Sequence, residues 1–176
     1  MKPFYLLIIA VLTATLSSAQ TPVLRGPAIY LNVFGSTYSG VSLNGDFRVF
    51  STAKRTAFLM GGFSYHNFSK EHSYLNISAG VNLVRGRGNH HHEFGAAFNF
   101  TEGGETAGST LASKSIYALV LTGYRYQRPT GGFFFRIYYC PMIKLKEYGN
   151  TYFFGGDMEF FPVYLGSGIG YSFGSK

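Results

Sequence analysis

The chain has 176 residues, of which 46% are hydrophobic, 18% aromatic and only 13% charged, with a formal net charge of +7 and one cysteine, Cys140. A soluble domain usually carries about 25% charged residues, and a lone cysteine forms no intramolecular disulfide. After the N-terminal segment no apolar run approaches the roughly 20 residues of a helical membrane span, which excludes a helical membrane protein.

Lys2 followed by the apolar run Phe4 to Leu12 and the small residues Ser17-Ser18-Ala19 reads as a secretory signal peptide over 1–19. The run is too short for a span, and no cysteine follows the cleavage site, so a lipoprotein signal is not expected. The remaining residues, 20–176, are expected to form one domain.

Alternation predicts eight strands, near 28–38, 41–51, 57–67, 73–85, 91–101, 115–127, 132–143 and 161–173. In the fourth, Leu75, Ile77, Ala79, Val81 and Leu83 share one face, and Tyr74, Asn76, Ser78, Gly80 and Asn82 the other. The fifth sets Phe94, Ala96, Phe98 and Phe100 against Glu93, Gly95, Ala97 and Asn99. The seventh sets Phe133, Phe135, Ile137 and Tyr139 against Arg136. In the last, Val163, Leu165, Ile169, Tyr171 and Phe173 oppose Tyr164, Gly166, Gly168, Gly170 and Ser172. One apolar face and one bare or polar face, over about 10 residues, suit a tilted strand with lipid outside and a crowded lumen inside. The expected fold is all-β, an eight-stranded antiparallel up-and-down transmembrane barrel.

The connections alternate in length. Ser51–Thr56, Gly86–Asn89 and Arg128–Gly131 are short, whereas Thr101–Lys114 and Lys144–Phe160 are long, as periplasmic turns and outer loops are in such barrels. The tight connection around Ser39-Gly40 is the exception. Charge follows the same axis: Lys54, Arg55, Arg85, Arg87, Arg128 and Lys176 fall at the short-turn end. Glu71, Glu102, Glu105, Glu147, Asp157 and Glu159 fall in the long loops. The net positive charge is therefore a basic rim, and no nucleic-acid partner is expected.

By alternation Asp46, Arg48, Glu93, Arg125 and Arg136 point inward, although Arg125 lies on a strand apolar on both faces. An eight-stranded barrel has room only for side chains in its lumen. Buried charges must pair, so the expectation is a charge network that plugs the barrel, with a gate or ion path as the alternative.

Catalytic patterns are weak. Neighbouring histidines on a strand alternate faces, so His90-His91-His92 is a poor grip for one metal ion and reads as a polar turn boundary. Ser64 and His66 share a face and are the best candidates for a lipid-modifying enzyme, but no nucleophile motif surrounds Ser64. Gly103-Gly104 and Gly155-Gly156 precede no helix and read as loop punctuation. No catalytic residue, metal or cofactor is expected.

The aromatic close of the last strand, Tyr171 and Phe173, resembles the C-terminal signal that the barrel-assembly machinery of Gram-negative outer membranes reads; here Gly174-Ser175-Lys176 follow it. Other pieces occur in this order: Val41-Ser42-Leu43-Asn44, Glu93-Phe94-Gly95-Ala96, Gly123-Tyr124-Arg125-Tyr126-Gln127 and Gly131-Gly132-Phe133-Phe134-Phe135-Arg136-Ile137. With Pro141 and the Gly168–Phe173 end, they resemble a family of small Gram-negative outer-membrane β-barrel proteins of unassigned activity. The chain departs from it at Tyr138-Tyr139-Cys140 and in the insertion 144–160. The resemblance implies fold and outer-membrane location and no catalytic residues. The expected partners are outer-membrane lipid, the assembly machinery and other outer-membrane proteins. The expected role is structural or surface-binding, through loops 101–114 and 144–160; a lipid-modifying enzyme or a small pore is the alternative.

Overall fold

Large apolar side chains alternate with small or polar ones along most of the chain, so the backbone can satisfy its hydrogen bonds only in strands whose two faces meet different surroundings. The computed structural model describes Leu24 and residues 26–35, 40–52, 55–67, 72–105, 113–148, 160–161 and 165–174. The expected signal peptide over 1–19 lies outside these residues.

The described residues contain strands and no helix. The strands are β1 (Ala28–Val33), β2 (Val41–Ser51), β3 (Thr56–Asn67), β4 (His72–Arg87), β5 (His90–Glu105), β6 (Ser113–Gln127), β7 (Gly132–Tyr139), β8 (Met142–Tyr148), β9 (Phe160–Phe161) and β10 (Leu165–Ser172). Each pairs antiparallel with its neighbour in sequence from β1 to β7, and β10 pairs with both β7 and β1, which closes the sheet. β7 and β8 act as one stave, because Thr122↔Tyr139 and Leu119↔Met142 continue one register along β6. β9 pairs with β8 as β10 does with β7. The result is a closed, eight-stranded antiparallel barrel. Each of the eight staves thus has a neighbour on both sides, while β9 pairs only with β8 among the described residues.

The outward side chains are apolar all the way round: Ile29, Leu31, Leu43, Leu59, Phe63, Ile77, Val81, Phe94, Phe98, Val120, Phe133, Ile137 and Ile169 are each at least 40% exposed. This is the inverse of a soluble barrel, whose exposed face is polar.

Three strand boundaries differ from the alternation reading. The first strand stops at Val33, because Phe34 (φ 58°) and Gly35 (φ 85°) turn into the left-handed region and Phe34 N–H donates to Gly40 O at 3.1 Å. The expected loop 101–114 is shorter, since β5 continues to Glu105 and β6 starts at Ser113. The expected loop 144–160 likewise loses its first part to β8. Pro141 does not end that stave: its carbonyl accepts Val120 N–H at 3.2 Å, and a proline is tolerated where its missing N–H interrupts a ladder only locally.

Inside, the small residues of β10 make room for large ones on its neighbours. A Cβ on Gly166 would lie 2.4 Å from Tyr138 Cζ, and one on Gly123 would lie 2.4 Å from Tyr138 Cβ. Tyr138 thus reaches the lumen because the staves on both sides carry glycine opposite it. Gly166→Ala is expected to cost about 1–3 kcal/mol of stability by overpacking. Gly61→Ala, whose new Cβ would meet nothing nearer than 3.8 Å, should stay within about 0.5 kcal/mol. Urea unfolding in detergent micelles reads both, and equal midpoints would remove the crowding account.

Candidate functional site: a ring of charge across the lumen

Five inward side chains from five strands form a closed circuit. Arg125 on β6 donates from Nη1 to Asp46 Oδ2 on β2, and from the same nitrogen to Glu93 Oε1 on β5 at 3.0 Å. Arg136 Nη2 on β7 lies 2.9 Å from the other Glu93 oxygen, and Arg136 Nη1 donates to Tyr30 Oη on β1 at 2.8 Å. Tyr30 closes the circuit by donating to Asp46 Oδ1 at 2.8 Å. Two carboxylates thus face two guanidiniums, and their formal charges cancel.

The ring spans the barrel. From β2 to β6 there are four steps through β3, β4 and β5, and also four through β1, β10 and β7. The Arg125–Asp46 pair therefore joins diametrically opposite staves. Asp46, Glu93, Arg125 and Arg136 are all at most 1% exposed.

Aromatic rings cover both guanidiniums. Arg125 Cζ lies 4.5 Å from the Phe134 centroid and 5.2 Å from that of Phe58. Arg136 Cζ lies 4.5 Å from the Tyr138 centroid and 5.2 Å from that of Tyr30. Tyr30 and Phe134 meet edge to face at 5.3 Å. Cation–π contact is worth roughly 2 kcal/mol when desolvated, and a stacked planar guanidinium suits it better than an ammonium.

The rest of the lumen mixes polar and apolar side chains, in part from the same staves. Asn32, Ser42, Asn44, Ser64, Asn76, Ser78 and Asn99, from β1 to β5, are buried and polar. Met60, Ala97, Leu119, Leu121, Cys140 and Met142 form an apolar cluster with Tyr138. The amides of Asn82 and Asn99 are buried without a protein hydrogen-bond partner, and polar groups so placed suit ordered water. Leu24, ahead of β1, packs with Phe58 and Val84 at the short-turn end.

Of the five charged residues that alternation turned inward, four meet in the ring and Arg48 does not. Arg48 stands opposite the lumen-facing Phe58, ahead of the register shift at Val49, and is exposed near the end of β2. Phe58 already occupies the space against Arg125, and a third guanidinium would leave the lumen one positive charge in excess. Tyr30, Phe58, Phe134 and Tyr138 belong to the site and were not anticipated there. Their signal was parity: Phe134, Arg136 and Tyr138 alternate on one face, as do Tyr30 and Asn32.

The other candidates fall elsewhere. Ser64 is buried and faces the lumen, and the His66 side chain lies outside what the structure describes. The three histidines alternate faces: His91 is buried, with Nε2 3.0 Å from Gln127 O, while His90 and His92 face outward. Among the described residues no group of His, Cys, Asp and Glu could hold a metal ion. Cys140 is buried in the apolar cluster. Tyr171 and Phe173 face outward and touch edge to face at 5.4 Å.

Glu93 is the one residue that pairs with both arginines. Glu93→Ala should therefore destabilise the barrel by about 3–5 kcal/mol, since it strands two buried cations, whereas Arg48→Ala should change stability by no more than about 0.5 kcal/mol. Urea midpoints of the two variants in micelles check the contrast, and equal losses would contradict the placement of Arg48 outside the ring. Set against family models, curated proteins and solved structures, the chain matches none of them.

Proposed function

We propose that this chain is an outer-membrane barrel with a plugged lumen, and that its role is non-enzymatic: structural, or surface-binding through the end opposite the short turns. The observation that carries the reading is the Arg125–Asp46 pair across the full diameter, enclosed by an outward wall of apolar side chains. A conducting path would have to break that pair, and an eight-stranded barrel has no spare width to route around it.

The long-loop end supports presentation outside a membrane. Beyond Phe100 and Ile116, the outward positions change to Glu102 and Lys114, which pair at 2.9 Å. β8 ends in Lys144-Leu145-Lys146-Glu147-Tyr148, with Lys144 Nζ 2.7 Å from Glu147 Oε2. β5, β6 and β8 thus carry charge past the apolar band. Ion pairs at such exposed positions add little stability. On this reading their use is to be wetted and met by a partner. Tyr171 and Phe173 supply the outward aromatic close that the assembly machinery would read, residues 1–19 would direct export, and outer-membrane lipid would surround the wall.

Two measurements test the proposal. The detergent-extracted membrane fraction should contain the protein, and boiled and unboiled samples should differ in gel mobility. In a planar bilayer the wild type should be electrically silent. A soluble periplasmic protein without a mobility shift would overturn the membrane reading, and steady conductance would overturn the plug in favour of a pore.

A further inference from the structure

The outward face of β4, β5 and β6 beside the short turns carries polar residues that the lumen ring does not use. Antiparallel register arranges them as a grid three strands wide. Arg85, His92 and Tyr124 form one row, through Arg85↔His92 and His92↔Tyr124. Arg87, His90 and Tyr126 form the next, through Arg87↔His90 and His90↔Tyr126. Directly paired residues bring their Cβ atoms to about 5 Å, and next-but-one residues along a strand are about 7 Å apart.

Side-chain contacts hold the grid in place. His90 Nδ1 and Tyr124 Oη lie 2.6 Å apart, and His92 Nε2 lies 3.2 Å from Thr122 Oγ1. The His90 ring meets Tyr126 edge to face at 5.5 Å, and Tyr126 stacks on Phe135 at 5.7 Å. None of the eight acidic side chains of the sequence lies on this face among the described residues: Asp46 and Glu93 point into the lumen, and Glu102 and Glu147 stand at the far end. The row above, Leu83, Phe94 and Thr122, begins the apolar band that continues through Val81, Ala96 and Val120.

We infer that this grid holds the phosphate of an anionic phospholipid, with the acyl chains lying against Leu83, Phe94 and the apolar positions above them. This rests on the membrane reading. Arginine presents a planar fork of donors that fits phosphate oxygens, and hydroxyl and imidazole groups add further hydrogen bonds. A cation near a membrane surface contributes about 1 kcal/mol of attraction to anionic lipid. The positive charge of Arg85 and Arg87, with no carboxylate beside them among the described residues, favours an anionic lipid over a zwitterionic one, whose own cation the arginines repel.

The test uses the full chain, folded in neutral detergent, with native mass spectrometry during addition of phosphatidylglycerol or phosphatidylcholine. The wild type should retain phosphatidylglycerol at about a tenfold lower lipid concentration than phosphatidylcholine. The double variant Arg85→Gln/Arg87→Gln should lose that preference, and Arg85→Lys/Arg87→Lys should keep part of it. Arg48→Gln, set against Arg87→Gln alone, removes equal charge from the same end on β2, away from the grid, and should leave the preference in place. Boiled and unboiled gel mobility checks that each variant is folded; Arg87→Gln alone, at an exposed position, carries the test if the double variant is not. A folded barrel with no lipid preference overturns the site and leaves the membrane reading standing. So does a preference that survives Arg85→Gln/Arg87→Gln, or one that Arg48→Gln abolishes as fully as Arg87→Gln. Absence of the wild type from the membrane fraction overturns both.

Discussion

Two guanidiniums that never reach water set the terms for the rest of this barrel. Removing an ion from solvent costs several kcal/mol even after relaxation, and a charge left unpaired there is strongly destabilising. Here Arg125 and Arg136 share Glu93, Arg125 takes Asp46, and Tyr30 joins Asp46 to Arg136. The circuit has no end at which a charge is left over. A ring of this kind tolerates no neighbour out of place, so the staves that carry it are fixed relative to one another across the lumen as well as along the wall.

That requirement explains features that look unrelated. The glycines at 123 and 166 leave space for Tyr138, whose ring then covers Arg136. Phe58 and Phe134 sit inside an apolar-outside barrel because Arg125 needs two faces to lie between. The lumen has a charged belt, with buried polar residues and an apolar cluster drawn in part from the same staves beside it. Strength of attachment is therefore concentrated in one layer, and the wall outside it is free to be uniformly apolar.

Much of this was legible in the chain. Strict alternation over β4, β5, β7 and β10 gave both the closed antiparallel sheet and the side each residue faces. The same parity placed Asp46, Glu93, Arg125 and Arg136 inward, although the apolar neighbours of Arg125 left its direction open. Arg48 keeps the parity of Asp46 and pairs with the lumen-facing Phe58, but it is exposed near the end of β2, and an alternation count does not say how far along the lumen a side chain still meets the ring. The inward aromatics escaped because Tyr30, Phe58, Phe134 and Tyr138 are of the type that also forms the outer face, and composition assigned them to lipid. Loop lengths were overestimated where β5 and β8 run on as charged strands, because Glu102 and Lys146 suggest solvent, and strands above an apolar band also meet solvent. Which side chain touches which across the lumen depends on how the staves are staggered around the closed sheet, and a one-dimensional pattern does not carry that.

The ring also bears on the order of events in assembly. Arg136 and Tyr30 are separated by 106 positions in sequence, and Arg125 and Asp46 by 79. Hairpins such as β4–β5 close over a two-residue turn, but these lumen contacts must wait until staves from both halves of the chain face one another, and long-range contacts come late because closing large loops costs entropy first. Glu93, Arg125 and Arg136 sit on the consecutive staves β5, β6 and β7 and can meet earlier, so it is Asp46 that waits for its cation. The last step of closure therefore brings Asp46 and Tyr30, on β2 and β1, onto a group already assembled on β5 to β7, which ties the seal across the diameter to completion of the whole circle.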